Sequence, residues 1–571
     1  MASAQQSPAQ HLAALAERYY ESQARFEPVG ATFMGDNRFD DALPMTLLPA
    51  VRARQFAMLH GVRDELTRID RSKLAETDLT TFDCLLYELN TQLSFEPFKD
   101  HLMPLNHMDS LPVVIANFGS GEDSQPIGTV AQYQAYHKRL VALPQWLAAA
   151  TANMRVGIKQ GVVLPKALVR SLLPQIKQLA EATLDNSAYS APVRKFPATF
   201  SKAEQARLRT QYHETLRTAL LPALRAFANF LNTDYLSAAR DSAGWGGLPS
   251  GANWYLTWVK SQTTSTLSPA EIHRIGLAEM TRIRAELTKV GAGLGYHGDP
   301  AGLSRWMAAQ PAYRPFKTEA EVLQAYRDIK ARITPALPQL FASLPRASLE
   351  IRPEPELSRL TASDHYSPAA SDGSRPGTFW AVIADPTKYS STRMTSLFLH
   401  EGLPGHHFQL SKQQELPIPK FRKFGAINAY VEGWALYAES LGKEIGLYTD
   451  PNAYAGHLML DLTRAARLVV DTGLHAEGWS REKTIAFLVQ QNGDTEEAAR
   501  NNTERYMAWP GQALGYKIGA LKIIELRQRA AAALGPKFNL ARFHDAVLAE
   551  GAIPLALLET KMNAWIAAQA K

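Results

Sequence analysis

The sequence predicts a mainly α-helical protein with two lobes and a small β-sheet. Three observations predict this fold: apolar residues recur at three- and four-residue spacing, capping boxes mark helix starts, and strand-like segments are confined to residues 349–383. A length of 571 residues provides for more than one domain. The glycine-rich segment Asp241–Asn253 is the predicted joint, so we expect an N-terminal helical lobe over 1–250 and a second lobe over 251–571.

Helices of the first lobe follow from the apolar period of a half-buried helix. They are predicted at Ala9–Phe26, Leu47–Leu66, Gln132–Arg155 and Lys166–Leu184. A capping box, in which a serine or threonine is followed three residues later by glutamate, predicts three further helix starts. These are at Ser201, Ser268 and Thr318.

Strand signals gather just before the segment that carries the chemistry. Leu349–Arg352 and Gly377–Ile383 are short, rich in β-branched or aromatic residues, and flanked by proline and glycine. From Thr392 onward the pattern is helical again. The predicted helices there are Ala429–Lys443, Asn452–Thr472, Thr495–Met507 and Leu514–Leu534.

Composition excludes several classes of protein. The formal charge of +6 is dispersed along the chain and forms no basic stripe, so we expect no nucleic-acid partner. Cys84 is the single cysteine, which rules out an intrachain disulfide and a thiolate zinc cluster. The sequence contains no run of about 18 apolar residues, so it predicts no transmembrane segment. Residues 1–6 resemble the end of a signal sequence, so we expect a periplasmic or secreted protein, with the cytoplasm as the alternative.

The segment His400-Glu401-Gly402-Leu403-Pro404-Gly405-His406-His407 resembles a helical zinc site with altered spacing. Such a site normally places two histidines four residues apart on one helix face, with a glutamate beside the first as general base. Here the fourth position is Pro404, and His406 follows at the sixth. Proline removes a helix amide and glycine accepts unusual dihedrals, so a widened helical turn can return His406 to the metal.

His407 is the alternative second ligand. Seven residues restore the helix face but displace the side chain by about 10 Å along the axis, which is too far for one zinc ion unless the helix breaks. We therefore favour His406 as the ligand and expect His407 to lie next to the ligands without binding the metal itself. Glu432 is the predicted third ligand, and Glu439, seven residues further on the same face, is expected to hold a ligand histidine.

Three motifs give the chain a family resemblance: His400–Gln409, Glu432–Glu439 and Pro510–Gly519. Together they resemble the bacterial proteins classed as domain of unknown function 885, and the likeness extends from Phe33 to the end of the chain. A more distant resemblance links the histidine pair and the ligand glutamate to Taq-type carboxypeptidases, thimet-type oligopeptidases and angiotensin-converting enzyme, and the second glutamate, seven residues on, to the first two. That resemblance implies a gluzincin-like metallopeptidase fold with two helical lobes, a deep cleft shared by the lobes, and Zn²⁺ in the second lobe.

The predicted activity is hydrolysis of peptide bonds by a carboxypeptidase or oligopeptidase type of enzyme. Zn²⁺ would lower the pKa of a water molecule, and Glu401 would accept its proton. Tyr516 is the first candidate for stabilising the oxyanion, and Tyr506 is the second. Arg505 and Lys517 are candidates for binding a substrate carboxylate.

The strand Gly377–Ile383, through Gly377 and Phe379, is the expected edge for an extended peptide. Two other functions remain open from the sequence. The first is a metal-dependent amidase acting on small molecules or cell-wall fragments. The second is a helical binding protein in which the altered motif holds no zinc and catalyses nothing.

Overall fold

The computed structural model describes all but a few residues, and the chain divides into two compact units. The signal-like segment at residues 1–6 lies outside the described residues, which are 7–121, 124–355, 359, 363–370, 373 and 375–571. As predicted, the fold is mainly α-helical with one small sheet. The first unit comprises Met1–Asp78, Glu88–Ala243 and Gly247–Gly251, and the second comprises Leu79–Tyr87, Gly244–Gly246 and Ala252–Lys571.

The helices of the first unit enclose their own apolar core, which includes Leu140, Leu172 and Leu224. Two π-helical segments, Leu216–Leu220 and Leu231–Tyr235, connect the last three helices. The α-helices up to residue 238, of which α4 contributes residues to both units, are α1 Pro8–Phe26, α2 Pro28–Phe33, α3 Pro49–Leu66, α4 Glu76–Ser94, α5 Leu111–Phe118, α6 Val130–Gln160, α7 Lys166–Glu181, α8 Ala191–Arg194, α9 Lys202–Thr215, α10 Leu221–Phe230 and α11 Leu236–Ala238.

The second unit contains the remaining α-helices and the sheet. Its α-helices are α12 Gly251–Thr263, α13 Pro269–Gly293, α14 Leu303–Ala308, α15 Glu319–Ile333, α16 Leu337–Leu340, α17 Met394–Glu401, α18 His406–Glu415, α19 Lys420–Lys423, α20 Asn428–Ser440, α21 Pro451–His475, α22 Arg481–Phe487, α23 Glu496–Ala508, α24 Gln512–Leu534, α25 Leu540–Leu548 and α26 Leu555–Ala570. Within the described residues, no helix of either unit is long and apolar enough to cross a membrane.

All three predicted capping boxes are confirmed. Ser201, Ser268 and Thr318 each accept a hydrogen bond from the backbone amide three residues on, and the glutamate at that position bonds back. These short-range bonds satisfy amides that the first helical turn leaves unpaired, which is why they mark helix starts from sequence alone.

The sheet has three strands in the order β1-β3-β2: β1 is Leu349–Pro353, β2 is His365–Ser367, and β3 is Gly377–Ala381. β1 runs parallel to β3, and β2 runs antiparallel to it. Every residue of β3 is buried, since the strand is central and lies within the apolar core. The sequence predicted β1 and β3 but not β2, whose three residues are polar or half-buried.

Close backbone approach aligns α20 with α24. A Cβ atom on Gly433 would lie 2.5 Å from the Cα atom of Gly519, so neither position accommodates a side chain. These two glycines let the helices pack with their backbones in contact. The consequence for the site is that Glu432 on α20 and Tyr516 on α24 line the same cavity.

Candidate metal centre

The two predicted histidine ligands lie on different helices. α17 ends at Glu401, Gly402 leaves the helical region with φ −102° and ψ −110°, and α18 begins at His406. The peptide between Leu403 and Pro404 is cis. A Cβ on Gly405 would collide with the carbonyl oxygens of Leu399 and His400, so the chain turns back tightly against α17. The expectation of one widened turn was therefore wrong in form, because the helix stops and a new one starts.

This reversal brings His406 back to His400. Their rings lie 4.8 Å apart between centroids and are nearly perpendicular, at 84°. Glu432 Oε2 lies 3.5 Å from His400 Nε2 and 3.4 Å from His406 Nε2. One donor atom from each of these three residues lies within 4.8 Å of the other two, so the triad can hold a metal ion.

The separations fit a tetrahedral ion. Two ligand atoms that are each about 2.1 Å from a tetrahedral zinc lie roughly 3.4 Å apart. That value matches the two distances from Glu432 Oε2. This oxygen and His406 Nδ1 are buried and form no hydrogen bond with any described residue. Buried polar atoms are normally satisfied, so an unsatisfied carboxylate oxygen between two imidazole nitrogens favours a cation as the missing partner.

Glu439 fixes the orientation of His400. Its carboxylate is fully buried and accepts hydrogen bonds from His400 Nδ1 at 2.9 Å and Ser396 Oγ at 2.6 Å. Arg464 Nη2 lies 3.1 Å from Glu439 Oε1. Because Nδ1 of His400 is bound in this way, its Nε2 is the atom that faces Glu432 and remains available to a metal.

Opposing effects set the charges of this cluster. Burial raises the pKa of Glu432, but His406 and His400 outweigh burial and hold that pKa well below its usual range. Burial likewise opposes ionisation of Glu439, and Arg464 with His400 lowers its pKa well below normal. Burial lowers the pKa of His400, while Glu432 and Glu439 more than reverse this and raise it to about 10. Both carboxylates are therefore ionised at neutral pH, as metal binding requires, whereas a metal ion that binds His400 must displace a proton from its imidazole.

A cavity of about 660 Å³ opens beside the triad. Glu401 and Tyr516 line it together with the three candidate ligands. Glu401 Oε2 lies 4.0 Å from His406 Nε2, so this carboxylate faces the same space as the ligands without joining them. A cavity of this size holds a small ligand or a short length of peptide.

Tyr516 lies closer to the ligands than the other candidate, Tyr506. Its ring stacks on that of His400 at 6.1 Å and 10°, and its hydroxyl accepts a hydrogen bond from Arg505 Nη2 at 3.1 Å. Tyr506 is buried, does not line the cavity, and accepts a bond from Arg467 Nε at 3.3 Å. The structure therefore places Tyr516 and Arg505 at the cavity and Tyr506 behind it.

Four predicted site residues are placed elsewhere. Lys517 is buried with Nζ 2.7 Å from Asp461 Oδ1 and 2.9 Å from Glu279 Oε2, and it lines a different cavity of about 430 Å³. Because two carboxylates already neutralise its charge, the prediction that Lys517 binds a substrate carboxylate was wrong.

The other three displaced predictions concern the sheet and His407. Phe379 is wholly buried in the central strand, and a Cβ on Gly377 would lie 2.7 Å from His407 Nδ1. With β1 on one side and β2 on the other, β3 offers no edge to a peptide. His407 Nδ1 lies 3.1 Å from the hydroxyl of Tyr366, and burial lowers the pKa of His407 to about 4. Among the described residues, His407 contacts Tyr366 and Gly377 of the sheet, and it is not hydrogen-bonded to a candidate metal ligand.

Arg467 and Asp364 are two of the cavity-lining groups that the sequence interpretation missed. Arg467 lies on α21, which is buried on nearly every side, so charged residues inside an otherwise apolar helix were the signal that could have found it. Asp364 precedes β2 and accepts hydrogen bonds from Val382 N at 2.7 Å and Tyr389 Oη at 3.0 Å. Burial raises the pKa of Asp364 to about 6. A single aspartate in a polar segment carries no comparable signal.

Comparison with known proteins identifies the family. The family model described as "Bacterial protein of unknown function (DUF885)" matches residues 28–562. The chain belongs to this DUF885 family. No curated protein matches the chain significantly.

Two solved structures resemble the chain over nearly its whole length. The crystal structure of a "putative lipoprotein" from Colwellia psychrerythraea shares 29% identity and covers 98% of this chain and 100% of its own, with a TM-score of 0.88. A "putative lipoprotein of unknown function" from Shewanella oneidensis has the same coverage of both chains at 17% identity and a TM-score of 0.75. The DUF885 chain therefore shares its fold with these two proteins.

Proposed function

We propose that this DUF885 protein is a zinc-dependent hydrolase of peptide bonds. The observation that carries the proposal is the triad of His400, His406 and Glu432, in which the Glu432 oxygen lies from both imidazole nitrogens at the separation of tetrahedral zinc ligands. Three protein ligands are typical of a catalytic rather than a structural zinc site, which uses four. Glu401 beside the triad supplies the general base that such a site needs.

Each residue has a distinct part in this scheme. His400, His406 and Glu432 would hold the ion, which when bound acts as a Lewis acid and lowers the pKa of water. Glu401 accepts a proton from the attacking water at its carboxylate and then donates it to the leaving nitrogen. The water oxygen joins the carbonyl carbon as the C–N bond breaks, and the two products are a carboxylic acid and an amine.

Tyr516 is suited to stabilise the negative charge that develops on the carbonyl oxygen. Its hydroxyl oxygen already accepts hydrogen bonds from Arg505 Nη2 at 3.1 Å and Gln512 Nε2 at 3.4 Å. Neither contact uses the hydroxyl proton, which remains to be donated to a substrate oxygen in the cavity. Because Arg505 and Gln512 already hold the Tyr516 hydroxyl in place, it needs little reorientation to donate a hydrogen bond during the reaction.

The experiment measures bound zinc and hydrolysis in the same samples. We expect one zinc per chain and cleavage of short peptides, and we expect Glu401→Gln to retain zinc while losing about 1000-fold or more in kcat. Glu415→Gln on α18 is the matched control, since its partner Arg346 is exposed. A zinc-loaded protein that cleaves no peptide, or a Glu401→Gln variant of unchanged rate, would contradict the proposal.

A related candidate keeps the metal and changes the substrate to amides of small molecules or cell-wall fragments. The volume of the cavity, about 660 Å³, favours ligands of that size as well as short peptides. A panel of amides assayed beside a mixed peptide library separates the two candidates by their kcat/KM values.

We also propose that the protein is exported. The support is that both solved relatives are described as lipoproteins. Fractionation of the native bacterium is the test: recovery with periplasmic or membrane fractions is expected, and recovery with the cytoplasm alone would contradict export.

A further inference from the structure

Two arginine side chains in the cavity lack a carboxylate partner. Arg467 is 8% exposed, and its Nη1 atom is buried without a hydrogen-bond acceptor among the described residues. Arg505 Nε is also buried and has no hydrogen-bond acceptor among the described residues. Neither guanidinium has a described carboxylate oxygen within 4.0 Å. Arg467 is buried and Arg505 is half-buried, and a guanidinium removed from water without a carboxylate in direct contact is costly, so this pair indicates an anionic ligand.

The other two arginines that line the cavity are accounted for. Arg464 Nη2 lies 3.1 Å from Glu439 Oε1. Arg393 Nη2 donates to Ser304 Oγ at 3.2 Å, and although burial lowers the pKa of Arg393, the nearby carboxylate of Asp494 opposes that shift. Asp494 and Glu432 also act electrostatically on Arg467, but neither carboxylate lies within 4.0 Å of it, and Arg467 and Arg505 are the two of these arginines that contact Tyr516.

Both side chains converge on Tyr516, beside the candidate metal centre. The guanidinium carbon of Arg467 lies 4.3 Å from the centre of the Tyr516 ring, and Arg505 Nη2 lies 3.1 Å from its hydroxyl. The Tyr516 ring in turn stacks on His400 at 6.1 Å. Together, these distances through the Tyr516 ring place the guanidinium carbon of Arg467 at most about 10 Å from the centre of the His400 imidazole.

We propose that Arg467 and Arg505 bind the α-carboxylate of the amino acid that the reaction releases. The inference rests on the proposed hydrolase function and names its substrates: peptides and N-acyl amino acids, cleaved one residue from a free C-terminus. One residue of chain spans about 3.5 Å, and a guanidinium–carboxylate pair separates its two carbon atoms by roughly 4 Å. One residue and the ion pair together span about 7.5 Å, which is compatible with the limit of about 10 Å between Arg467 and the His400 imidazole, whereas two residues would span about 11 Å.

Three substrates distinguish the sources of the anion, each assayed with the zinc-loaded full chain. They are N-benzoyl-glycyl-phenylalanine, its C-terminal amide, and N-benzoyl-glycyl-glutamate with its α-carboxylate amidated. We expect kcat/KM for the free acid to exceed that for its amide by about 100-fold, the loss typical of a buried charge pair left without one partner. Equal values for acid and amide overturn the proposal. A glutamate α-amide as good as the free acid also overturns it, because the ligand would then be an acidic side chain.

Variants assign the preference to the residues. Arg467→Lys keeps the charge but loses the planar fork, so we expect the preference for the free acid to fall about tenfold or more with the amide changed less than about threefold. Arg393→Lys is the matched control and retains the preference. If circular dichroism shows that Arg467→Lys is unfolded, Arg505→Lys provides the same comparison. A preference that survives both folded variants overturns the assignment.

Binding separates failure of this inference from failure of the proposed function. Calorimetry of zinc-loaded Glu401→Gln with the free acid and its amide is expected to show about 30-fold or greater preference in Kd for the acid. This preference without turnover by the unaltered protein supports the carboxylate site and contradicts the hydrolase. Turnover with equal Kd values for both compounds supports the hydrolase and overturns the carboxylate site.

Discussion

Replacing Glu439 with glutamine tests how the centre is built. The carboxylate contacts three donors: His400 Nδ1 at 2.9 Å, Ser396 Oγ at 2.6 Å and Arg464 Nη2 at 3.1 Å. Glutamine offers one acceptor oxygen and no charge, so Arg464 loses its carboxylate inside the protein. Breaking a buried ion pair costs about 3–5 kcal/mol in the free energy of unfolding. Loss of the bond that orients His400 lowers zinc affinity by about 10–100-fold.

Two measurements separate these effects. Urea unfolding of the metal-free protein gives the change in stability, and competition with a chromophoric chelator gives the zinc Kd of the folded variant. Glu444→Gln is the matched control, because Glu444 pairs with Arg527 near the surface and exposed pairs contribute about 1 kcal/mol or less. A folded Glu439→Gln variant whose zinc Kd is within twofold of the unaltered protein would refute the role given to Glu439.

Three further predictions concern the surroundings of the site. Burial raises the pKa of Asp471 to about 7, so the folded state favours the protonated form and the free energy of unfolding falls as pH rises from about 4 through 7. In urea unfolding, we expect Asp471→Asn to abolish this decrease, which amounts to at most about 4 kcal/mol. A variant with the same dependence of stability on pH would count against this. Gly405→Ala would place a methyl group against backbone carbonyls of α17, so we expect destabilisation by about 3 kcal/mol or more and loss of zinc binding. A stable variant that binds zinc would show that the chain does not pack tightly against α17 at Gly405. Lys517→Ala removes the ammonium from Asp461 and Glu279, which both keep Arg282 as a partner, so we expect stability to fall by about 2 kcal/mol with the preference for a free C-terminal carboxylate unchanged. A selective loss of that preference would return Lys517 to the substrate site.

Local chemistry made much of the helical fold predictable. The boxes at Ser201, Ser268 and Thr318 satisfy their own first-turn amides, so no distant contact is needed to specify them. The strand β2 escaped prediction because its three residues show no alternation and depend on pairing with β3.

The candidate site was predictable only where its residues share a short motif. His400, His406 and Glu432 follow from spacing along two neighbouring segments. Lys517 was misassigned because it lies next to Tyr516 in the motif, and the sequence does not show that its ammonium is bound by Asp461 and Glu279. The apolar surroundings of Arg467 in the sequence could have indicated a buried charge, but its contact with Tyr516 at the cavity is visible only in the three-dimensional arrangement.

The position of the metal ion itself tests the central claim most directly. Crystals of the zinc-loaded protein, measured at the zinc absorption edge, would give an anomalous difference map. We expect one peak within about 2.1 Å of His400 Nε2, His406 Nε2 and a Glu432 oxygen, the bond lengths of zinc with nitrogen and oxygen ligands. A map with no peak at this triad, or with zinc bound elsewhere, would contradict the account.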